Sequence, residues 1–335
     1  MVIAGTTSGS GSRDILHTTR VKVNVYYSIQ VIIMKEIKPE GVVIPLVSPF
    51  TENGKIDEKG SINLVQHIID NGCHPFVLGT TGESLSIPMK EKLVYLRAAA
   101  KANAGRKILY VGISGMCMEE TVLLGKAFAD EGAEILVAHL PSYYPLPHDY
   151  MLRYFIELAD ALPRPLMLYN IKATTHMSIP VDVIKELSKH DNIIGLKDSE
   201  QDLKRLDILA AFAAGTEGFY YHLGWAPQSI YALKAGADAI VPSTGNAFPK
   251  LYHELYLAVK EGDFEKAETY QLLTDELSVA HQKDKLLSQT LPGLKVMLQD
   301  LGICESHCIS PCYPLGEQEN KNIISRMRQI MERIP

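Results

Sequence analysis

From residue 41 onward the apolar positions alternate between two patterns. Short β-branched runs end in Gly, Ser, Thr or Asn. Each is followed by a longer stretch whose apolar positions recur about every 3.6 residues. The short runs predict strands over 42–48, 75–79, 108–113, 134–139, 165–170, 193–197, 219–223 and 239–243. The longer stretches predict helices over 59–71, 89–104, 119–131, 148–161, 181–190, 203–214, 227–235 and 249–260. The third helix shows the logic. Val122, Leu124, Gly125, Phe128 and Ala129 share one face, Lys126 and Asp130 fall opposite, and Leu123 is the exception. Glycines at helix ends, such as Gly132 and Gly236, mark left-handed stops. The strands are nearly continuous apolar runs, so both of their faces are buried, as in a parallel sheet. Eight strand–helix units predict an α/β fold, a (β/α)8 TIM barrel. An open doubly wound sheet would want a Gly-rich phosphate turn after the first strand, and Ser48-Pro49-Phe50-Thr51 provides none.

The remaining chain divides simply. Residues 1–33 are rich in Gly, Ser and Thr and then irregularly apolar, which reads as an N-terminal extension or leader; a Val/Tyr/Ile edge strand there is the alternative. The catalytic barrel is assigned to residues 34–262. A C-terminal helical extension, 263–335, carries helical periodicity over 264–281, 291–301 and 320–334 and has no strand pattern.

Composition narrows the function. Of 335 residues 46% are hydrophobic and 21% charged, which excludes a mainly disordered chain. A net charge of −6 argues against nucleic acid as a partner. No apolar run reaches the roughly 18 residues of a membrane span. The five cysteines, Cys73, Cys117, Cys304, Cys308 and Cys312, are sparse and odd in number, which suits reduced thiols and a cytoplasmic location. Three of them with His307 invite a metal reading, but their spacing of four does not match paired zinc ligands and Pro311 interrupts them. Free thiols and no metal are the expectation.

In such a barrel, chemistry sits at the C-terminal ends of the strands. Those ends carry Gly79-Thr80-Thr81-Gly82-Glu83-Ser84, Pro141-Ser142-Tyr143-Tyr144, Leu168-Tyr169-Asn170 and Gly195-Leu196-Lys197-Asp198. A lysine closing the apolar run Ile193–Leu196 would point into the barrel mouth. Desolvation there favours the neutral amine, which can attack a ketone to give a Schiff base. Pairing of Lys197 with Asp198 is the plainer alternative. Tyr169 closes the neighbouring strand and could carry protons for that chemistry, or merely pack. The Gly79–Gly82 turn combines small residues, hydroxyls and backbone amides that suit a carboxylate, or is only a strand-to-helix turn. Tyr143-Tyr144 is a further proton-relay element or an interface loop.

Taken together these motifs resemble the dihydrodipicolinate synthase / N-acetylneuraminate lyase family of Schiff-base aldolases. The matches are Gly79-Thr80-Thr81-Gly82-Glu83, Tyr143-Tyr144, Leu168-Tyr169-Asn170 and Asn192-Ile193-Ile194-Gly195-Leu196-Lys197, in the family's order, from about residue 41 to the C-terminus. The resemblance implies Lys197 as the Schiff-base lysine and Tyr169 as proton shuttle. Thr80 would link Tyr169 to Tyr144. Thr81 and the turn beginning at Gly79 would bind the keto-acid carboxylate, and Val241 would turn its carbonyl toward the lysine. It also implies a homo-oligomer, dimer or tetramer, because the counterpart of Tyr144 reaches a neighbouring subunit. No cofactor is expected beyond the covalent imine with substrate.

Four departures shape the substrate expectation. Thr174 stands where the synthases carry a carboxylate-binding arginine. Gly224-Trp225-Ala226 replaces the acidic pair of the sialic acid lyases. Lys172 stands where proline follows Tyr-Asn-Ile, and Met89 where lysine-regulated synthases carry histidine. The expected function is a pyruvate-dependent class I aldolase, a carbon–carbon lyase acting on a 2-keto-3-deoxy acid, or condensing pyruvate with an aldehyde. Lys172 is either a solvated loop lysine or an alternative anchor for an acidic or polyhydroxylated acceptor, close to Thr174. The alternatives are 4-hydroxy-tetrahydrodipicolinate synthase, a non-catalytic keto-acid-binding regulator, and a flavin or phosphate-sugar enzyme on the same barrel.

Overall fold

A computed structural model describes residues 37–335, so the leader assigned to residues 1–33 lies outside the described residues. Eight parallel strands close in sequence order: β1 (Gly41–Pro45), β2 (His74–Val77), β3 (Tyr110–Gly112), β4 (Ile135–Ala138), β5 (Leu166–Asn170), β6 (Ile193–Asp198), β7 (Tyr220–Leu223) and β8 (Ala239–Ile240). The helices that follow them are α1 (Glu58–Asp70), α2 (Met89–Asn103), α3 (Met118–Asp130), α4 (His148–Ala161), α5 (Val181–Leu187), α6 (Leu203–Ala214), α7 (Ser229–Lys234) and α8 (Pro249–Glu261). The (β/α)8 barrel expected from the alternation is therefore present. Helix α3 buries Gly125, Phe128 and Ala129 and leaves Leu123 exposed. A Cβ at Gly125 would stand 2.2 Å from Leu162, so the residue is glycine because α3 and the end of α4 pack closely there. Gly132 and Gly236 have φ of +101° and +105°, left-handed conformations that a side chain would strain.

Because strand side chains alternate in direction, every second residue fills the barrel interior. Phe76 and Tyr110 meet there with ring centroids 6.4 Å apart, and Tyr110 meets His222 from the opposite side at 5.8 Å. His74 approaches Tyr110 edge-on. His222 Nε2 donates to the Pro39 carbonyl at 2.7 Å. This aromatic floor lies beneath Lys197, whose Cα is paired with those of Tyr169 and His222 in the adjacent strands.

Three further helices complete the chain: α9 (Phe264–Gln282), α10 (Leu287–Asp300) and α11 (Glu317–Met331). They close on the barrel through Thr244, after β8, whose hydroxyl lies 2.9 Å from Ser278 Oγ and 3.1 Å from His281 Nε2. Helix α10 begins four residues before the predicted start at 291. Pro292 reads as a helix start, yet it lies inside α10. The extra turn is held by Gln289, whose side chain accepts from the Leu286 amide at 3.0 Å.

Burial holds three core histidines well below their ordinary range: His222 is pushed down to about 3, and His74 and His281 to about 4. Each is neutral in the folded state and binds a proton on unfolding once the pH falls below about 6.5. The folded chain then carries fewer protons than the unfolded one, so acid destabilises it. Stability from these three sites is complete above pH 6.5 and is expected to fall toward pH 4, by about 1.4 kcal/mol per pH unit for each site. Chemical denaturation between pH 7 and 4 checks this; stability flat across that window would contradict it.

Candidate active site

Two adjacent residues at the end of β6 go opposite ways. Lys197 points into the barrel and is 5% exposed. Its Nζ lies 3.9 Å from the centroid of the Tyr169 ring and 5.0 Å from that of Phe76. Asp198 points outward, 1% exposed, and accepts from Arg205 Nε at 2.7 Å, from Asn170 Nδ2 at 2.8 Å and from the Glu200 amide at 3.0 Å. The alternative that Lys197 is paired with Asp198 is thus incorrect. Strand alternation separates the two, and Asp198 is bound to Arg205. Among the described residues no carboxylate forms an ion pair with Lys197. The amine is thus enclosed by aromatic rings, with its neighbouring carboxylate turned away.

Tyr169 presents its face to that amine. Its hydroxyl accepts from Thr80 Oγ1 at 3.5 Å, a long contact. Thr80 belongs to the turn after β2. Gly82 donates to the Gly79 carbonyl and Glu83 to the Thr80 carbonyl, both at 3.1 Å, and Ser48 Oγ ties the Gly82 carbonyl at 2.6 Å. Among the described residues the Thr80 and Thr81 amides donate to nothing. Two free amides and two hydroxyls thus lie in one fixed turn, a combination of donors that suits an anion. Thr81 is buried. Val241 is buried just beyond β8, its amide bonded to Leu223 O at 2.7 Å.

Tyr144 stands apart from this group. It is 70% exposed and packs edge-on against Tyr143, centroids 4.8 Å apart. Thr174 lies on the wall of a cavity of about 360 Å³ together with Thr80, Ser142, Leu287 and Leu291. Lys172, in the short helical turn Lys172–Thr175, is directed to Glu200 at 3.2 Å and does not line that wall. Burial raises the Glu200 carboxyl, but hydrogen bonds from Ser178, Asn170 and Lys172 outweigh it and hold the group below its ordinary value.

Three features escaped sequence reasoning. His139 ends the inward series Ile135, Val137, His139 and enters the cavity wall; that parity was the available signal. Leu287 and Leu291 come from the C-terminal extension, and their place at the mouth has no local signature. The third feature lies beneath the turn. Lys295 on α10, fully buried, stands 2.5 Å from Glu83 Oε1, 4.3 Å from the Phe50 ring centroid, and donates to His307 O at 3.1 Å. Burial pushes the Glu83 carboxyl up, against the pull of Lys295. Glu83 itself has φ of 54°, a conformation costing a side chain roughly 1 kcal/mol, which the ion pair holds in place. All five cysteines carry free thiols; burial raises Cys304 to about 12 and Cys308 to about 11, so neither is a ready nucleophile.

A buried amine beside a phenol, above a turn of free amides at the mouth of a closed barrel, defines a barrel of the lysine Schiff-base class. The sequence profile described as the Dihydrodipicolinate synthetase family matches residues 38–330, and the chain belongs to that family. Its members are lyases and synthases that use a lysine Schiff base with pyruvate. The chain is 27% identical over 292 residues to a 4-hydroxy-tetrahydrodipicolinate synthase of Alkaliphilus oremlandii, covering 87% of this chain and 98% of the relative. It is 26% identical over 297 residues to YagE of Escherichia coli, provisionally named a 2-dehydro-3-deoxy-D-gluconate aldolase, covering 87% and 96%. A solved dihydrodipicolinate synthase of Bacteroides thetaiotaomicron superposes with a TM-score of 0.83 at 28% identity, covering 88% of this chain and 99% of that one.

Breaking a buried ion pair leaves a lone charge out of water, at a cost of about 3–5 kcal/mol. Lys295→Met is expected to lose about that much stability in urea unfolding. Lys295→Met combined with Glu83→Gln should lose clearly less, because no charge is then stranded. A double variant as unstable as the single one would show that the pair does not act as a unit.

Proposed function

We propose that Lys197 is the residue through which this enzyme, a pyruvate-dependent carbon–carbon lyase, forms its imine. The observation that carries the assignment is the buried amine without a counter-ion, 3.9 Å from the Tyr169 ring. The neutral amine adds to the ketone of pyruvate or of a 2-keto-3-deoxy acid. Tyr169 protonates the carbinolamine oxygen, water leaves, and the imine forms. Cleavage of the C3–C4 bond leaves an enamine on Lys197 and releases an aldehyde, while Tyr169 takes up the C4 hydroxyl proton. Protonation of the enamine and hydrolysis return pyruvate and the free lysine. Run backward, the same steps condense pyruvate with an aldehyde. The imine is itself the electron sink, so no further cofactor enters the proposal.

Thr81 and the turn from Gly79 hold the keto-acid carboxylate, and Thr80 passes protons between Tyr169 and the outside. Tyr144 is assigned to the same relay across a subunit boundary, in keeping with its exposure. The assembly proposed is a homo-oligomer, at least a dimer, and the location cytoplasmic. No helix of the described residues is long and apolar enough to cross a membrane. Val241 lines the imine end. Thr174 lies at the acceptor end, with Lys172 on the rim outside it. The exposed pair of Lys172 with Glu200 contributes at most about 1 kcal/mol, so the lysine exchanges it readily for a polar group on a long acceptor. A threonine at 174 offers no charge to a semialdehyde carboxylate. That favours a 2-keto-3-deoxy acid over the synthase substrate named for the Alkaliphilus relative.

Borohydride added with pyruvate is expected to leave the reduced pyruvyl mass on Lys197, and Lys197→Ala should gain none. Mass on another residue, or none on the wild-type chain, overturns the assignment. Tyr169→Phe is expected to lower kcat by about 10²- to 10⁴-fold, as for loss of a general acid–base. Turnover of a 2-keto-3-deoxy acid by the purified chain separates the enzyme from a non-catalytic keto-acid binder.

A further inference from the structure

One polar group in the cavity has no task in the steps above. His139 follows β4 and is 7% exposed, with its ring on the wall that also carries Thr80, Ser142 and Thr174. Two bonds fix its position. Its backbone amide donates to Ser114 Oγ at 2.9 Å, and its Nδ1 lies 2.8 Å from the Leu140 carbonyl. A carbonyl only accepts, so Nδ1 carries the proton and Nε2 keeps its lone pair. Among the described residues nothing hydrogen-bonds Nε2. The ring centroid lies 6.1 Å from that of Tyr169, beside the imine end of the cavity.

We infer that His139 Nε2 is the specificity-determining acceptor for a hydroxyl group on the aldehyde partner, so that the enzyme takes a neutral hydroxyaldehyde rather than an anionic one. The inference rests on the Schiff-base reading and names the substrate class of that same site. A fixed lone pair matches a hydroxyl donor and repels a carboxylate, which brings only lone pairs of its own. Burial keeps the imidazole below its ordinary range, and Lys197 on β6 pushes the same way whenever it carries a proton. The Leu140 carbonyl, which would favour the cation, is outweighed. Tyr169 on β5 is the other titratable group facing the ring. The rest of the wall agrees in chemistry. Its one charged residue is Glu83, engaged by Lys295, and it offers no lysine or arginine to an anion. Ser142 and Thr174 share the lining with apolar Leu287 and Leu291, a mixture that suits a short, neutral, hydroxylated chain.

The test compares glyceraldehyde with propionaldehyde, which has the same chain length and no hydroxyl, as partners for pyruvate. The wild-type enzyme is expected to prefer glyceraldehyde in kcat/KM. An acceptor that the bound aldehyde covers and leaves without a donor penalises the wrong substrate, so His139→Val should reduce that preference by about 10-fold or more. His139→Gln carries an amide oxygen to the place of Nε2 and should recover part of it. Both variants should still gain the pyruvyl mass at Lys197 under borohydride. A preference unchanged in His139→Val, or restored no better by Gln than by Val, overturns the assignment. Loss of pyruvate trapping in both variants would move His139 into the imine chemistry and overturn it as well. Failure of the wild-type chain to trap pyruvate is a separate result, one that removes the Schiff-base reading underneath.

Discussion

An amine buried without a counter-ion is the constraint around which this molecule is arranged. Lys197 is set among the Tyr169 and Phe76 rings of the barrel interior, away from bulk water. The fold tolerates it because β6 is locked between β5 and β7, which deliver Tyr169 and His222 to the same level. The next carboxylate along the chain, that of Asp198, is turned away and held by Arg205. If the register slipped by one residue, Asp198 would enter the barrel and Lys197 would face the helices. The Arg205 pair therefore fixes the orientation of the strand end as well as satisfying a buried charge.

Much of this was legible in the sequence, and the physical reason is locality. Strand and helix periodicity depends on neighbours a few residues apart, so the eight units and their order can be read directly. Glycine at 132 and 236 signals a left-handed turn wherever it sits. Lys197 and Tyr169 could be singled out because each breaks an apolar run at its end. The partner of a buried charge is a different matter. Glu83 finds its cation on α10, and no pattern within either segment announces it. The choice between inward Lys197 and outward Asp198 needs the strand parity, which the sequence supplies only once the register is known. Helix α10 starts at Leu287 rather than at 291 because the side chain of Gln289 secures an earlier turn, outside the apolar periodicity.

The site divides into a rigid end and a permissive end. The end around Lys197 is held by strands, by the turn at Gly79–Glu83 and by the ring of Tyr169. The other end is lined by Ser142, Thr174 and two leucines of the C-terminal extension. These come from loops and from outside the barrel proper, where substitutions disturb packing least. This division fits a family whose members bear the names of both a synthase and an aldolase while sharing one barrel.

The Glu83–Lys295 pair carries a consequence for how the chain is made. Residue 83 leaves the ribosome well before residue 295, so the turn after β2 waits for its cation while the intervening chain is made. A nascent barrel with all eight strands in place still lacks the cation that pairs with Glu83. Barrel and extension are in this respect a single heritable unit. Recombination that joined this barrel to a foreign C-terminus without a lysine at that depth would deliver a folded-looking product with a stranded glutamate beneath its catalytic turn.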